Sequence, residues 1–172
     1  MASNRRIFLV GPGFIGGEVL DLLVAENYGV TTMVGRESAA LSLKKAGSKV
    51  ILASLGGKDK IREQVEQVGI VFHTATADDL PSVGAVLEGI EARSKASKST
   101  IYAHTSGASL LGDDSSANFK SDTIYCDDKP EDIDALSDIA PHRLVDLAIL
   151  EAKQQLGKMA KIAIMIRHLS TV

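Results

Sequence analysis

Short runs of apolar, largely β-branched residues recur along the chain. Between them lie longer stretches in which apolar positions return every three or four residues. The runs cover 7–10, 30–34, 49–53, 70–75, 100–105 and 161–166. Their apolar residues mostly stand on consecutive positions, which predicts strands covered on both faces, as in a parallel sheet. The intervening stretches predict helices over 14–26, 38–46, 58–68, 81–94 and 141–156. In the first, Ile15, Val19, Leu22 and Leu23 form the apolar stripe, and Glu18 and Asp21 fall away from it. Ile61, Val65 and Val68 mark the third stripe, and Val83, Val86, Leu87 and Ile90 the fourth. Leu144, Val145, Ala148, Ile149 and Ala152 mark the last, where Pro141 suits the first turn. Gly47 and Gly157 suit helix ends.

This alternation predicts an α/β fold: a doubly wound parallel sheet of about six strands with helices on both faces. Crossovers should be right-handed, with the topological switch beside the first strand. One stretch departs from the pattern. Residues 112–140 are long and acidic, with Asp113, Asp114, Asp122, Asp127, Asp128, Glu131, Asp132, Asp134 and Asp138. They predict a long surface loop, either solvated or shaping access to a substrate. Residues 1–172 are otherwise read as one domain.

Composition narrows the function classes. The 172 residues are 45% hydrophobic and 24% charged, with a net charge of −3. That excludes disorder along the whole chain. It also leaves no global basic field to draw the protein to nucleic acid or anionic lipid. The single cysteine, Cys126, excludes an intrachain disulfide and a cysteine-cluster metal site. The apolar run after Arg5 and Arg6 stops at Gly11 and Pro12, too short for an export signal. No stretch reaches the roughly 18 apolar residues that span a bilayer. The cytoplasm is the default location.

The chemistry begins where the first strand meets the first helix. Gly11-Pro12-Gly13-Phe14-Ile15-Gly16 reads G-x-G-x-x-G. In that context the spacing is a dinucleotide-binding fingerprint. Gly11 permits the tight turn, Gly13 lets the backbone approach a pyrophosphate, and Gly16 lets helix and strand pack closely. Free amides at the helix start would face the anion. The end of the second strand carries no acid to bind a ribose 2′-hydroxyl. It carries Met33-Val34-Gly35-Arg36, and the Arg36 guanidinium suits a 2′-phosphate. NADP is therefore preferred over NAD. As a plain surface cation, Arg36 would instead pair with Glu37 or Glu18.

The GPGFIGG loop, the VGR at the second strand's end and the HTSGAS run at 104–109 resemble the extended or atypical short-chain dehydrogenase/reductases. These include the epimerase/dehydratase and NmrA-like proteins, with fungal members nearest. The resemblance covers about residues 6–167. It implies a Rossmann domain with a nicotinamide cofactor across the carboxyl ends of the strands. Ala75 and Thr76 would line that cofactor, and Ser54 and Leu55 would lie near its adenine. The resemblance also implies a C-terminal substrate domain, of which little follows the sixth strand.

The same family implies a strand-five Ser that polarises the substrate, with a helical Tyr-x-x-x-Lys that moves the proton. Ser106 matches the Ser by position. The helix before strand six carries His142-Arg143-Leu144-Val145-Asp146 instead of the Tyr and Lys. His142 could take over the proton transfer, with Asp146 on the same face. A literal match, Tyr125 to Lys129, lies in the acidic stretch, where Pro130 argues against a helix through Lys129. His104 and Thr105 adjoin Ser106 and could reach the nicotinamide end. His73, His104 and His168 show no metal-ligand spacing. Two readings follow. One is an NADP-dependent oxidoreductase acting on a small carbonyl or alcohol. The other is a non-catalytic NADP-binding module or truncated fragment that works through a protein partner. An uncovered apolar surface near the last strand would favour association with another chain, including a second copy.

Overall fold

The computed structural model describes residues 6–112, 122–126 and 128–167. Six strands form one parallel sheet: β1 (Arg6–Val10), β2 (Gly29–Val34), β3 (Lys49–Leu52), β4 (Ile70–His73), β5 (Thr100–Gly107) and β6 (Ala160–Arg167). Their spatial order is β3-β2-β1-β4-β5-β6, so the order reverses beside β1 as the sequence predicts. The helices are α1 (Phe14–Ala25), α2 (Glu37–Lys45), α3 (Lys58–Gln67), α4 (Leu80–Lys95), α5 (Pro130–Asp134) and α6 (Arg143–Leu156).

Side chains leave a strand on alternate faces, so β1 feeds two cores. Phe8 and Val10 point to a core shared with α3, α4 and α6 through Ile61, Val65, Val83, Val86, Ile90 and Ile149. Leu9 points the other way, to Leu20 of α1, Val30 and Val34 of β2, and Leu43 of α2. β1 is buried from Ile7 to Val10, which explains its unbroken apolar run.

The sheet is less evenly covered than the apolar runs suggest. At β5 and β6 the described residues give little cover to the face opposite α4 and α6: Ile101 is 48% exposed and Met165 41%. Two helical stripes are also rotated from the expected ones. In α1 the fully buried positions are Gly16 and Leu20, and Leu22 is exposed. The close approach of the glycine loop to the sheet turns α1 away from its most apolar line. In α6, Leu144 is exposed while Arg143 and Asp146 are buried. That helix begins at Arg143, two residues after the expected Pro141, because His142 stands at its N-cap in the left-handed region. Within the acidic stretch, Pro130–Asp134 forms a short helix that the pattern did not predict. Asp113, Asp114, Asp127 and His168 lie outside the described residues.

Candidate functional site

The glycine loop is held by its neighbours in the sheet. Gly11 has φ +86°, and a Cβ there would sit 2.3 Å from the Cα of Ala75. Only glycine fits both the backbone and the space. A Cβ on Gly16 would sit 2.2 Å from the Gly11 carbonyl oxygen and 2.6 Å from the Thr74 hydroxyl oxygen. Gly13 differs: no atom lies within 4 Å of where its Cβ would be. Two glycines are thus required by the chain itself, and the third borders open space.

Thr74 locks this arrangement. Its hydroxyl donates to the carbonyls of Gly11 at 2.7 Å and Val10 at 3.2 Å, and its amide donates to Val10 at 2.9 Å. The family resemblance points to Ala75 and Thr76 here, not to Thr74. A hydroxyl directly after a central strand, opposite a glycine turn, is the signal that would have found it.

These residues border a cleft of about 410 Å³ at the carboxyl ends of β1, β2, β3 and β4. Gly11, Gly13, Arg36, Ser54, Leu55 and Ala75 all line it. Six residues separated by up to 64 positions are thereby brought to one place. Phe14 and Ile15 start α1 at its edge, with the Phe14 ring 82% exposed. Thr76 is not among the cleft's walls, and its hydroxyl accepts the Asp78 amide at 3.2 Å. Arg36 is the exposed N-cap of α2. Among the described residues no carboxylate pairs with its guanidinium, so neither Glu37 nor Glu18 takes that place.

A polar cluster lies further along the same edge of the sheet. His142 Nδ1 lies 2.6 Å from Asp78 Oδ1, and Nε2 lies 2.6 Å from Ser109 Oγ. Asp78 comes from the loop after β4, Ser109 from the 3-10 turn after β5 (Ala108–Leu111), and His142 from the start of α6. His142 has φ +67°. A Cβ on Gly107 would fall 2.4 Å from Nε2, so the glycine makes room for the ring.

Asp146 is therefore not the partner of His142. Its Oδ2 accepts a 2.9 Å hydrogen bond from the Ser106 hydroxyl, and Ser106 and Asp146 are each 2% exposed. Burial raises the Asp146 carboxyl above the ordinary aspartate range, and the Ser106 hydrogen bond opposes this. Asp146 Oδ1 and the Nε of Arg143 are buried without a hydrogen-bond partner among the described residues.

The literal Tyr-to-Lys spacing does not become a helical pair. Tyr125 lies in coil, and Lys129 is the exposed residue before α5, its amide donating to the Cys126 carbonyl at 3.2 Å. Tyr125 and Cys126 border a larger cavity of about 1290 Å³, with Leu110, Arg143, Asp146 and Ile164 among its other walls.

His104 is fully buried, so it does not reach out to a ligand. Its Nδ1 meets the Tyr102 hydroxyl at 3.2 Å, and its ring lies 5.2 Å from that of His73. His73 Nε2 in turn meets the Ser82 hydroxyl at 3.1 Å. Burial lowers His73 to about 4 and His104 to about 3, so both rings are neutral at pH 7. Among the described residues no helix is long and apolar enough to cross a membrane.

No family model matches the chain. One curated relative, an uncharacterised protein of Schizosaccharomyces pombe, is 31% identical over 101 residues, covering 50% of this chain and 34% of that protein. Solved structures match more widely. Yeast methylglyoxal/isovaleraldehyde reductase complexed with NADPH superposes with a TM-score of 0.61 at 17% identity, covering 94% of this chain and 56% of that one. UDP-glucose 4-epimerase of Thermotoga maritima gives 0.64 at 16%, covering 91% and 54%. A short-chain dehydrogenase/reductase from Vibrio parahaemolyticus gives 0.66 at 15%, covering 92% and 79%. The chain has the Rossmann fold of these reductases and epimerases. It spans about half the length of the first two, 56% and 54%.

Proposed function

We propose that the chain binds NADP(H) in the glycine-loop cleft and is the cofactor-holding domain of an oxidoreductase acting on a small carbonyl or alcohol. The observation that carries this reading is the open space at Gly13. No described atom would crowd a side chain there, whereas a pyrophosphate laid on the loop would. Gly11, Gly13 and the first turn of α1 would hold the diphosphate. Arg36 would take the 2′-phosphate, and Ser54 and Leu55 would flank the adenine. When bound, the nicotinamide would supply or accept a hydride. The NADPH held by the yeast reductase of the same fold supports the choice of cofactor.

For the accompanying proton, we assign His142. An ionised carboxylate can only accept, so with Asp78 as its partner Nδ1 carries the hydrogen. In the neutral ring Nε2 then accepts from Ser109, whose exposed hydroxyl is the outward end of the chain. Ser106 is committed to Asp146 and is buried, so Ser109 rather than Ser106 faces a substrate in this reading.

Titration of the purified chain with NADPH and NADH, by calorimetry, tests the cofactor assignment. The expected result is binding of NADPH at least ~10-fold tighter than NADH, the value of one charge-assisted contact. Binding of neither nucleotide would end the proposal. A second reading, a binding module without turnover, is favoured by two observations: Ser106 is buried, and Tyr125 and Lys129 share no helix. Oxidation of NADPH by a panel of small aldehydes and ketones separates the readings. Full turnover in His142→Ala would remove the role of that ring.

A further inference from the structure

Asp78, His142 and Ser109 arise from three separate elements, yet they line up through two 2.6 Å contacts on opposite nitrogens of one ring. The backbone of His142 is held at φ +67°, a conformation unfavourable for a non-glycine residue. Gly107 leaves room for the ring that no other residue would leave. Such strain persists only where surrounding contacts over-determine it, and it clusters at chemical sites. The arrangement has the logic of an activated nucleophile: a hydroxyl, a base within hydrogen-bond reach, and a carboxylate orienting the base. Ser109 is exposed, so the nucleophile is accessible. Ala108 and Leu110, on either side of it, border the larger cavity, while Ser109 itself stands outside that cavity's walls.

We propose that Ser109, His142 and Asp78 form an acyl-transfer centre, in which Ser109 attacks the carbonyl carbon of a small carboxylic ester. The Oγ–C bond forms as the carbonyl electron pair moves onto oxygen, and the hydroxyl proton passes to Nε2 of His142. The bond to the alcohol oxygen then breaks, and the imidazolium returns the proton to the departing alkoxide. Water attacks the acyl-serine by the same route, releasing a carboxylic acid and restoring Ser109. No oxidant or reductant enters, so this activity goes beyond the dinucleotide reading and stands without it.

The test uses the full chain free of nucleotide, with a fluorophosphonate as covalent probe and p-nitrophenyl acetate as substrate. Peptide mapping is expected to find the fluorophosphonate adduct on Ser109, and the ester is expected to turn over. His142→Gln should slow labelling at least ~100-fold, the lower end of general-base contributions. Asp78→Asn should slow it about 10-fold, because a carboxylate that is 66% exposed acts through a screened field. Both Asp78 and Ser109 are exposed, so Asp78→Asn and Ser109→Ala keep the test decisive should His142→Gln fail to fold. The proposal is overturned if Ser109 labels no faster than other exposed serines, or if Asp78→Asn labels at the unaltered rate. NADPH titration of the unaltered chain is run alongside. Absence of nucleotide binding with labelling of Ser109 would count against the dinucleotide reading alone.

Discussion

The two halves of the sheet's carboxyl edge are built in different ways. The half over β1, β2 and β3 is a cleft made mainly of backbone and small side chains, with Arg36 exposed at its rim. The half over β5 and α6 is made of polar side chains that hold one another: Ser106 with Asp146, and His142 with both Asp78 and Ser109. Space carries the first half, and hydrogen bonds carry the second. A loop shaped for a ligand must leave room where the ligand's phosphates approach. Buried side chains must instead pair their polar groups, because an unpaired one costs about 1–3 kcal/mol; Asp146 Oδ1 and Arg143 Nε are among the exceptions in the described residues. The glycines show the contrast: Gly13 faces open space, while Gly107 is crowded by an imidazole.

The largest effect that would sharpen this contrast is expected at Gly16. Gly16→Val would place carbon 2.2 Å from the Gly11 carbonyl oxygen and force the loop off the sheet. It should cost roughly 3 kcal/mol in urea-denaturation stability, the upper range for overpacking, and abolish NADPH binding.

Gly13→Val probes the same loop without the clash. Stability should fall by no more than about 1 kcal/mol, the cost of losing a favourable N-cap residue of α1 without a clash. NADPH affinity should fall ~100-fold, about 2.7 kcal/mol by the tenfold-per-1.4 relation. A stable variant that binds NADPH normally would show that the open space has no role.

Arg36→Ala should weaken NADPH about 10-fold and leave NADH within about twofold, since only the 2′-phosphate loses a charge-assisted contact. Equal weakening of both nucleotides would move Arg36 to the shared diphosphate.

The smallest effect is a stability slope with pH, and it belongs to the other half. His73 and His104 are buried and neutral, lowered to about 4 and about 3. In the unfolded chain the same rings take up protons near pH 6.5. Between pH 6.5 and about 4 the unfolded state therefore binds more protons, and stability falls as pH falls. The slope is at most ~1.4 kcal/mol per pH unit for each ring. Denaturation midpoints at pH 7, 5.5 and 4.5 measure it. His73→Gln should flatten the slope, and an unchanged slope would assign the acid sensitivity elsewhere.

The sequence by itself determined the strands, most helix positions, the strand order and the glycine-loop half of the edge. These follow from local rules. Apolar runs bury, glycine occupies positions where Cβ cannot fit, and a residue after β2 must stand beside a residue after β1. Arg36, Ser54, Leu55 and Ala75 were legible because each sits at a strand end whose place in the order was already set.

Tertiary structure alone decided the partners in the other half. His142 and Asp146, four residues apart, look paired along a helix, yet one starts the helix and the other is drawn beneath it to Ser106. Asp78 reaches His142 across 64 positions of sequence. Tyr125 and Lys129 match a helical spacing in a segment where the helix begins only at Pro130. The physical reason is range. Periodicity and backbone preference act over a few neighbouring residues, whereas a hydrogen bond between strand-end loops depends on where the packed sheet brings them.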